Sequence, residues 1–298
     1  MLGKILVSGV SGPIGAALLP SLDAQGYKVT RLVRSSASGE DRILWNPTQP
    51  PDPKSVSGFD AVIHLAGETV VGRWTKSKKV AIRDSRVLGT RNLADGLAQA
   101  PERPGVLISA SAVGYYGDRG DEQLREESRA GSGFLAEVCR EWEAAAESAA
   151  NSGIRTVQIR IGMVLSPDGG ALPKMLPPFR LGLGGKMGNG RQWMSWVHVQ
   201  DIVGAIHHIL KTDSLQGPIN MVSPNPATNA EFTKTLARVL PRPAIFPMPA
   251  FAARVAFGQM ADELLLASQR VEPAKLLASG YTFQHPELRL ALQEILST

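Results

Sequence analysis

The chain has 298 residues, 43% apolar and 20% charged, which excludes a mainly disordered or collagen-like protein. Its single cysteine, Cys139, excludes a disulfide framework within the chain and fits a reducing compartment, so a cytoplasmic location is expected. Thirty-two basic against twenty-seven acidic residues leave a formal charge of +5, a mild excess that suits an anionic small molecule as well as nucleic acid. No apolar run approaches the roughly 18–20 residues that span a bilayer. The N-terminus passes from Lys4 straight into strand-like sequence, so neither a membrane span nor a leader is expected.

Lys4 to Ser8 is a short apolar run ending at Gly9 and reads as a buried strand. Ile14, Leu18, Leu19 and Leu22 recur at helical spacing, and Gly26 ends that helix. Lys28 to Val33 reads as the next strand, and Asp60 to Ala66 as another after a loop holding Pro47, Pro50, Pro51 and Pro53. A helix is predicted over residues 76–99, a strand over Val106–Ser109, an amphipathic helix over Phe134–Ala149 and a strand over Thr156–Ile161. Strands alternating with helices predict an α/β fold around a mostly parallel sheet. Gly and Pro crowd residues 166–190, which read as a domain edge or a loop covering a substrate. Trp196–Val199 then reads as a strand and Gln200–Leu210 as a helix, within a smaller α+β region. The predicted division is residues 1–165 and 166–298, with 195–222 packing back on the first part.

Gly9-Val10-Ser11-Gly12-Pro13-Ile14-Gly15 is a G-x-x-G-x-x-G turn between the first strand and the first helix. In that setting the first glycine permits a tight turn, the second lets a pyrophosphate approach the backbone, and the third lets the helix pack closely. Pro13 suits the first helical turn, where its missing N–H is no loss. An acidic residue about 20 positions past the glycines would hold a ribose hydroxyl, whereas Arg would hold a 2′-phosphate. The second strand carries Arg31 and ends at Arg34, with no acidic residue before Glu40, which predicts NADP(H) over NAD(H).

These residues resemble an extended, or atypical, short-chain dehydrogenase/reductase. Within that superfamily the chain resembles the sugar-nucleotide-epimerase-like branch labelled NAD-dependent epimerase, sometimes cell division inhibitor. The resemblance rests on the glycine turn, Leu65-Ala66-Gly67-Glu68, Asp84-Ser85-Arg86, the segment Ser109 to Gly117, Arg160 to Leu165, Phe179 to Gly185, Trp196-Val197-His198 and Ala227 to Phe232. It spans the whole chain, including a C-terminal stretch that this branch carries as a domain of unassigned role. Thr69 departs from it, since Asn commonly follows Leu-Ala-Gly-Glu there. The resemblance implies a doubly wound Rossmann domain with a small C-terminal substrate domain and a bound dinucleotide. It implies Leu65, Ala66 and Gly67 along the adenosine–pyrophosphate path, with Arg86, Ser109 and Arg160 near the cofactor.

Ordinary members of this superfamily use Tyr-x-x-x-Lys on a helix as the proton-transfer pair. None of the four tyrosines has lysine four residues on: Tyr27 is followed by Arg31, Tyr115 by Arg119, Tyr116 by Gly120 and Tyr281 by His285. The expected helix would hold the pair at Leu135 and Cys139. What remains for catalysis is Ser111, beyond a strand end in the crevice, with Tyr115 and Tyr116; Ser111 and Tyr116 are the expected catalytic pair. Trp193 and Trp196, beside Arg191 and Lys186, are candidates to line a pocket for a sugar or an anion. The histidines show no metal-ligand spacing, and no metal is expected. Two functions stay open: an NADP(H)-dependent oxidoreductase or epimerase-like enzyme acting on a small carbonyl or sugar-like substrate, and a non-catalytic NADP(H)-binding sensor or partner-binding module. No nucleic-acid or membrane partner is expected.

Overall fold

Alternation organises the central sheet of the computed structural model, which describes residues 3–35, 39 and 41–297. In β1 (Lys4–Ser8), Ile5 and Val7 enter one apolar core and Leu6 enters another on the opposite face. The glycine turn leads into α1 (Pro13–Ala24), and the chain returns through Gly26 to β2 (Lys28–Val33). At three residues, β3 (Arg42–Leu44) is too short to announce itself by period. Glu40 lies outside the described residues. After β4 (Ala61–His64) comes α2 (Lys76–Ala98), whose Gly96 lies so close to the Pro51 ring that a Cβ there would sit 2.6 Å away.

β5 (Val106–Ala112) runs three residues beyond the predicted Ser109, because alternating Ala and Ser keep their ladder in a buried strand. Ser111 is therefore inside the strand and not beyond its end. A single 3₁₀ turn, Val113–Tyr116, and the two-residue β6 (Gln123–Leu124) follow. The predicted helix over 134–149 is two helices, α3 (Phe134–Ala144) and α4 (Glu147–Asn151). The chain tightens at Ala146, whose N–H bonds the Glu143 carbonyl, and Ala146 and Ala149 turn into the core beside Leu93 and Leu97. β7 (Arg155–Ile161) then pairs with β5 in parallel.

β8 (Met163–Leu165) leaves the sheet, and the Gly/Pro stretch behind it contains α5 (Leu172–Arg180). Leu172, Leu176 and Phe179 are buried on one face of α5, and that burial holds the helix despite Pro177 and Pro178. The rest of the chain comprises β9 (Trp193–Met194), β10 (Trp196–His198), α6 (Val199–Lys211), β11 (Gly217–Met221), β12 (Ala227–Thr228), α7 (Asn229–Val239), α8 (Ala250–Phe257), β13 (Arg270–Val271), α9 (Ala274–Ala278) and α10 (Leu288–Ser297).

Among the described residues the main sheet is fully parallel, in the order β3-β2-β1-β4-β5-β7-β11. This is a Rossmann-type doubly wound sheet, and its switch point lies between β1 and β4. One face packs on α1 and α6 through Leu18, Leu22, Ile202 and Ile206; the other packs on α2 and α4. A third core, around Trp196, Phe232, Leu176 and Leu292, forms the smaller lobe. The two lobes interleave, since β11 is the edge of the main sheet and α6 lies on α1. Among the described residues no helix is long and apolar enough to cross a membrane.

The sheet buries His64, whose Nδ1 lies 2.6 Å from the Ser8 hydroxyl. Burial pulls its pKa down to about 4. The unfolded histidine takes up its proton near pH 6.5, so on acidification the unfolded state binds more protons and gains ground. Stability present above pH 6.5 should therefore be lost as pH falls toward 4, at up to about 1.4 kcal/mol per pH unit for this group. Urea unfolding at pH 7 and pH 5 measures it, and His64→Gln should show a shallower loss than the wild type.

Candidate functional site

At the switch point the loop after β1 meets the loop after β4. Gly9 has φ +76°, and a Cβ there would lie 2.4 Å from the Leu65 carbonyl carbon, so only glycine lets the two loops touch. Gly15 presses on the Gly9 carbonyl and the Val10 Cα, so the third glycine packs α1 on its own turn. A Cβ on Gly12 would meet only the Gly9 oxygen within 4 Å, so this position stands open. Gly12 caps α1 with no side-chain bond. The first-turn N–H groups of Ile14 and Gly15 are therefore free to face an anion, with the positive end of the helix behind them. Ser11 is exposed at the rim of the same turn. The loop after β8 approaches from above, where Gly169 lies against the Pro13 ring. A pyrophosphate thus has a backbone cradle that fits it.

The second arginine candidate and the first differ in position. Arg31 is within β2 and pairs with Asp41 at 3.6 Å, which draws it toward β3. Arg34 is exposed just past the strand end and has no ion-pair partner among the described residues. The loop Leu65–Glu68 is clasped by α2: the Glu68 N–H donates to the Ser85 hydroxyl at 3.0 Å, Arg86 donates to the Glu68 carbonyl at 2.9 Å, and Lys78 meets the Glu68 carboxylate at 2.6 Å. The Lys78 hydrogen bond, with the charges of Lys78, Arg34 and Arg86, holds the Glu68 carboxyl below its usual range. Arg86 also lies against Gly67 and over the Trp142 ring, so it positions this loop. Lys78 and Glu68 form a pair that spacing within either segment does not announce.

Beside this cleft the two positions expected for the proton-transfer pair are packed in apolar surroundings. Leu135 and Cys139 on α3 both lie against Gly114 of the 3₁₀ turn. Burial, then the nearby Glu143 charge, pushes the Cys139 thiol up to about 12. A cavity of about 310 Å³ opens next to Gly114, Gly117 and Leu135, closed on its far side by Arg254, Asp262 and Glu263 of the smaller lobe. The Glu263 carboxylate accepts the Leu135 N–H at 2.8 Å and a Gln259 amide hydrogen at 2.6 Å.

Several expected site residues turn away from the cleft. Ser111 is 2% exposed and donates to the Glu143 carboxylate at 2.7 Å. Arg160, also 2% exposed, grips both oxygens of that carboxylate at 2.8 Å. It donates as well to the Tyr116 hydroxyl at 2.9 Å and the Glu126 carbonyl at 3.0 Å. Tyr116 is fully buried and donates to Asn220 at 2.7 Å; burial pushes its phenol up to about 12 despite Arg160. Four of the five N–H donors of Arg160 are engaged by protein groups, and the Tyr116 hydroxyl is enclosed between Arg160 and Asn220. Ser109 is 1% exposed, and its hydroxyl has no hydrogen-bond partner among the described residues. Trp196 belongs to the core of the smaller lobe, while Trp193 is half-buried under Arg270. Glu143, Glu126 and Asn220 complete this network. They went unnoticed in the sequence because each meets Arg160 or Tyr116 only through the fold.

His198, His285 and Glu294 gather three donor atoms within 4.8 Å of one another. His198 Nδ1, however, accepts the Gln200 N–H as the cap of α6, so the neutral ring carries its proton on Nε2. That leaves Nε2 without a lone pair for a metal. His285 instead bonds the Glu294 carboxylate at 2.7 Å and stacks on His198.

Residues 5–222 match the NAD dependent epimerase/dehydratase family, and residues 248–295 match a domain of unknown function, DUF1731. An epimerase family protein of Mycobacterium bovis is 42% identical over 290 residues, covering 97% of this chain and 96% of its own. The epimerase family protein SDR39U1 of Homo sapiens is 38% identical over 301 residues, 99% of this chain and 100% of that one. The crystal structure of human SDR39U1 isoform 2 with NADPH superposes with a TM-score of 0.90 at 36% identity, covering 99% of each chain. A nucleoside-diphosphate sugar epimerase from Corynebacterium glutamicum superposes with a TM-score of 0.83 at 38% identity, covering 99% of this chain and 58% of that one.

Two outcomes follow from the buried network. Glu143→Leu leaves the Arg160 charge buried and unpaired and should cost about 3–5 kcal/mol by urea unfolding, most of it recovered in the double variant Glu143→Leu/Arg160→Met. A thiol-reactive dye should label Cys139 only after unfolding, because the thiolate is scarce and enclosed in the folded chain.

Proposed function

The chain belongs to the NAD dependent epimerase/dehydratase family, and from that premise we propose that it is an NADPH-binding, oxidoreductase- or epimerase-like protein acting on a small carbonyl or sugar-like substrate. The observation that carries the reading is the cradle at the switch point, where Gly12 stands open before the uncapped N-terminus of α1 and Arg34, exposed past the end of β2, has no ion-pair partner among the described residues. The N–H groups of Ile14 and Gly15 would hold the pyrophosphate. Leu65, Ala66 and Gly67, held by Ser85 and Arg86, would border the adenosine side. Arg34 would meet the 2′-phosphate, and Arg31, tied to Asp41, would contribute charge at a distance. The human relative that shares this architecture was crystallised with NADPH, which supports the same choice.

When bound, the reduced nicotinamide supplies a hydride. The residues of this chain supply position and dryness around the acceptor. Leu135 and Gly114 form an apolar wall of the 310 Å³ cavity, and Glu263 pins the start of α3 so that this wall keeps its place. A substrate in the cavity would be oriented by Asp118, Ser132 and Arg254 along its polar edge. Ser111 and Tyr116 would act at one remove, by fixing Glu143, Arg160 and the 3₁₀ turn that forms the cavity floor. With the usual donor replaced by Leu135 and Cys139, the proton that accompanies hydride transfer would come from solvent or from the substrate, and turnover of generic carbonyls would be slow. A second reading, a non-catalytic NADP(H)-binding sensor, is favoured by the same replacement.

Calorimetric titration tests the cofactor assignment. NADPH should bind more tightly than NADH, and Arg34→Ala should weaken NADPH by roughly tenfold or more, the loss of one charge-assisted contact, while leaving NADH unchanged. Equal affinities, or an unchanged preference in the variant, would remove Arg34 from the site. NADPH oxidation against a carbonyl panel separates the two readings. If a substrate is found, Ser111→Ala should keep its rate within about threefold, since the hydroxyl serves Glu143 and not the reacting oxygen. A larger loss with cofactor affinity intact would return Ser111 to the chemistry.

A further inference from the structure

A groove lies in the smaller lobe, outside the cradle and the cavity just described. It measures about 550 Å³ and runs between α7 and the segment 241–247. Lys186, Lys234, Arg238 and Arg242 line it, and no carboxylate does. All four are exposed, and none has an ion-pair partner among the described residues. Lys234 and Arg238 are four residues apart on α7, so they share one face and repel each other. An anion in the groove would relieve that repulsion, and two guanidinium groups suit a phosphate better than a single carboxylate.

The rim of this groove is apolar and uncovered. Leu181 is 74% exposed, Leu183 56%, Ile245 72% and Phe246 55%. Ile245 lines the groove itself, Gly182 packs on the Pro243 ring, and Gly185 lies against the Phe246 backbone, so the segments 181–185 and 245–246 that carry these four side chains adjoin the lining of the groove. Pro243 and Pro247 bracket the Ile245-Phe246 tip, restricting the backbone on either side of it. Cations beside exposed large apolar groups match a ligand with a charged end and a hydrocarbon end.

We propose that this groove is a second binding site, taking the phosphate head of an anionic amphiphile whose chain lies on Leu181, Leu183, Ile245 and Phe246. The head would sit among Lys234, Arg238 and Arg242. The site is independent of the cofactor assignment, because none of these residues belongs to the cradle.

The test uses the full chain with NADPH present. Dihexanoyl phosphatidic acid is titrated by calorimetry, with inorganic pyrophosphate in parallel. Flotation with phosphatidylcholine vesicles, with and without phosphatidic acid, distinguishes a lipid surface from a soluble amphiphile. The short-chain phosphatidic acid should bind and weaken as salt rises. Lys234→Glu/Arg238→Glu should lower its affinity by roughly tenfold or more, and the uncharged change Ile245→Ser/Phe246→Ser should lower it while leaving pyrophosphate unchanged. NADPH affinity and thermal midpoint should stay at wild-type values in both double variants, which shows that they fold. Vesicle binding with the same variant pattern assigns the source as a bilayer, and its absence beside calorimetric binding assigns a soluble amphiphile. No binding of the short-chain probe at physiological salt, wild-type affinity in the folded charge-reversal variant, or pyrophosphate binding as tightly as the amphiphile would each overturn the proposal.

Discussion

Arg160 sits inside the protein with five N–H donors and no access to water, so the chain around it must supply acceptors. Four bonds are made: two to Glu143 on α3, one to the Tyr116 hydroxyl and one to the Glu126 carbonyl. Each partner belongs to a different part of the chain, and each is bound onward. Tyr116 reaches Asn220 on β11, and the Glu126 carboxylate accepts the N–H groups of Asn220 and Lys275. The faces of Tyr115 and Tyr116 cover the guanidinium, with the Tyr115 centroid 3.6 Å from its carbon. One charge therefore ties the end of β7 to α3, the 3₁₀ turn, β11 and the start of α9. A buried charge that loses one partner is strongly destabilising, so this junction tolerates little movement.

That rigidity shapes the cleft. The 3₁₀ turn and α3 are the two walls against which a nicotinamide and its substrate would sit, and both are anchored from behind by the same arginine. On the other side of the switch point the anchor is steric: Gly9 touches the Leu65 backbone, and α2 holds the Leu65–Glu68 loop through Ser85, Arg86 and Lys78. A preformed cleft loses little entropy when a ligand enters. Leu135 and Cys139, at the positions where the resemblance leads one to expect a phenol and an ammonium, offer an apolar side chain and a thiol too buried to ionise. Under the proposed reading such a cleft would bind and orient, and a proton would have to come from a group outside this network.

The smaller lobe is joined to the first by more than one passage of the chain. After β7 the chain leaves the sheet, pairs β8 with β10 outside it, returns through α6 and β11, and leaves again. Glu263 reaches from this lobe to the start of α3, and Asp201 on α6 accepts the N–H groups of Gln284 and His285. The outer face of the lobe is different in character. There Lys186, Lys234, Arg238 and Arg242 have no ion-pair partner among the described residues, and Leu181, Leu183, Ile245 and Phe246 are exposed.

Much of this was legible in the residues alone, where the information is local. The apolar runs of Lys4–Ser8 and Val106–Ser109, the helical spacing of Ile14, Leu18 and Leu22 in α1, and the spacing of Gly9, Gly12 and Gly15 each depend on neighbours within one turn or one strand. They determined a parallel α/β sheet, a phosphate cradle at the first turn and the loss of Tyr-x-x-x-Lys. Only the tertiary structure decided which way the polar residues face. Ser111 lies on the same pleat as Leu107 and Ser109, opposite Arg160 across the ladder, so its hydroxyl meets a helix and not the crevice. In the sequence Arg34 lies just past the strand end, and the structure separates it further from Arg31: β3 brings Asp41 to Arg31, while Arg34 has no ion-pair partner among the described residues. Tyr116 and Asn220 are 104 residues apart and meet because β11 returns to the sheet edge. A helical period marks a face of one element, but what covers that face is set by strand order and chain return. Those depend on the summed packing of distant segments, which no local spacing records.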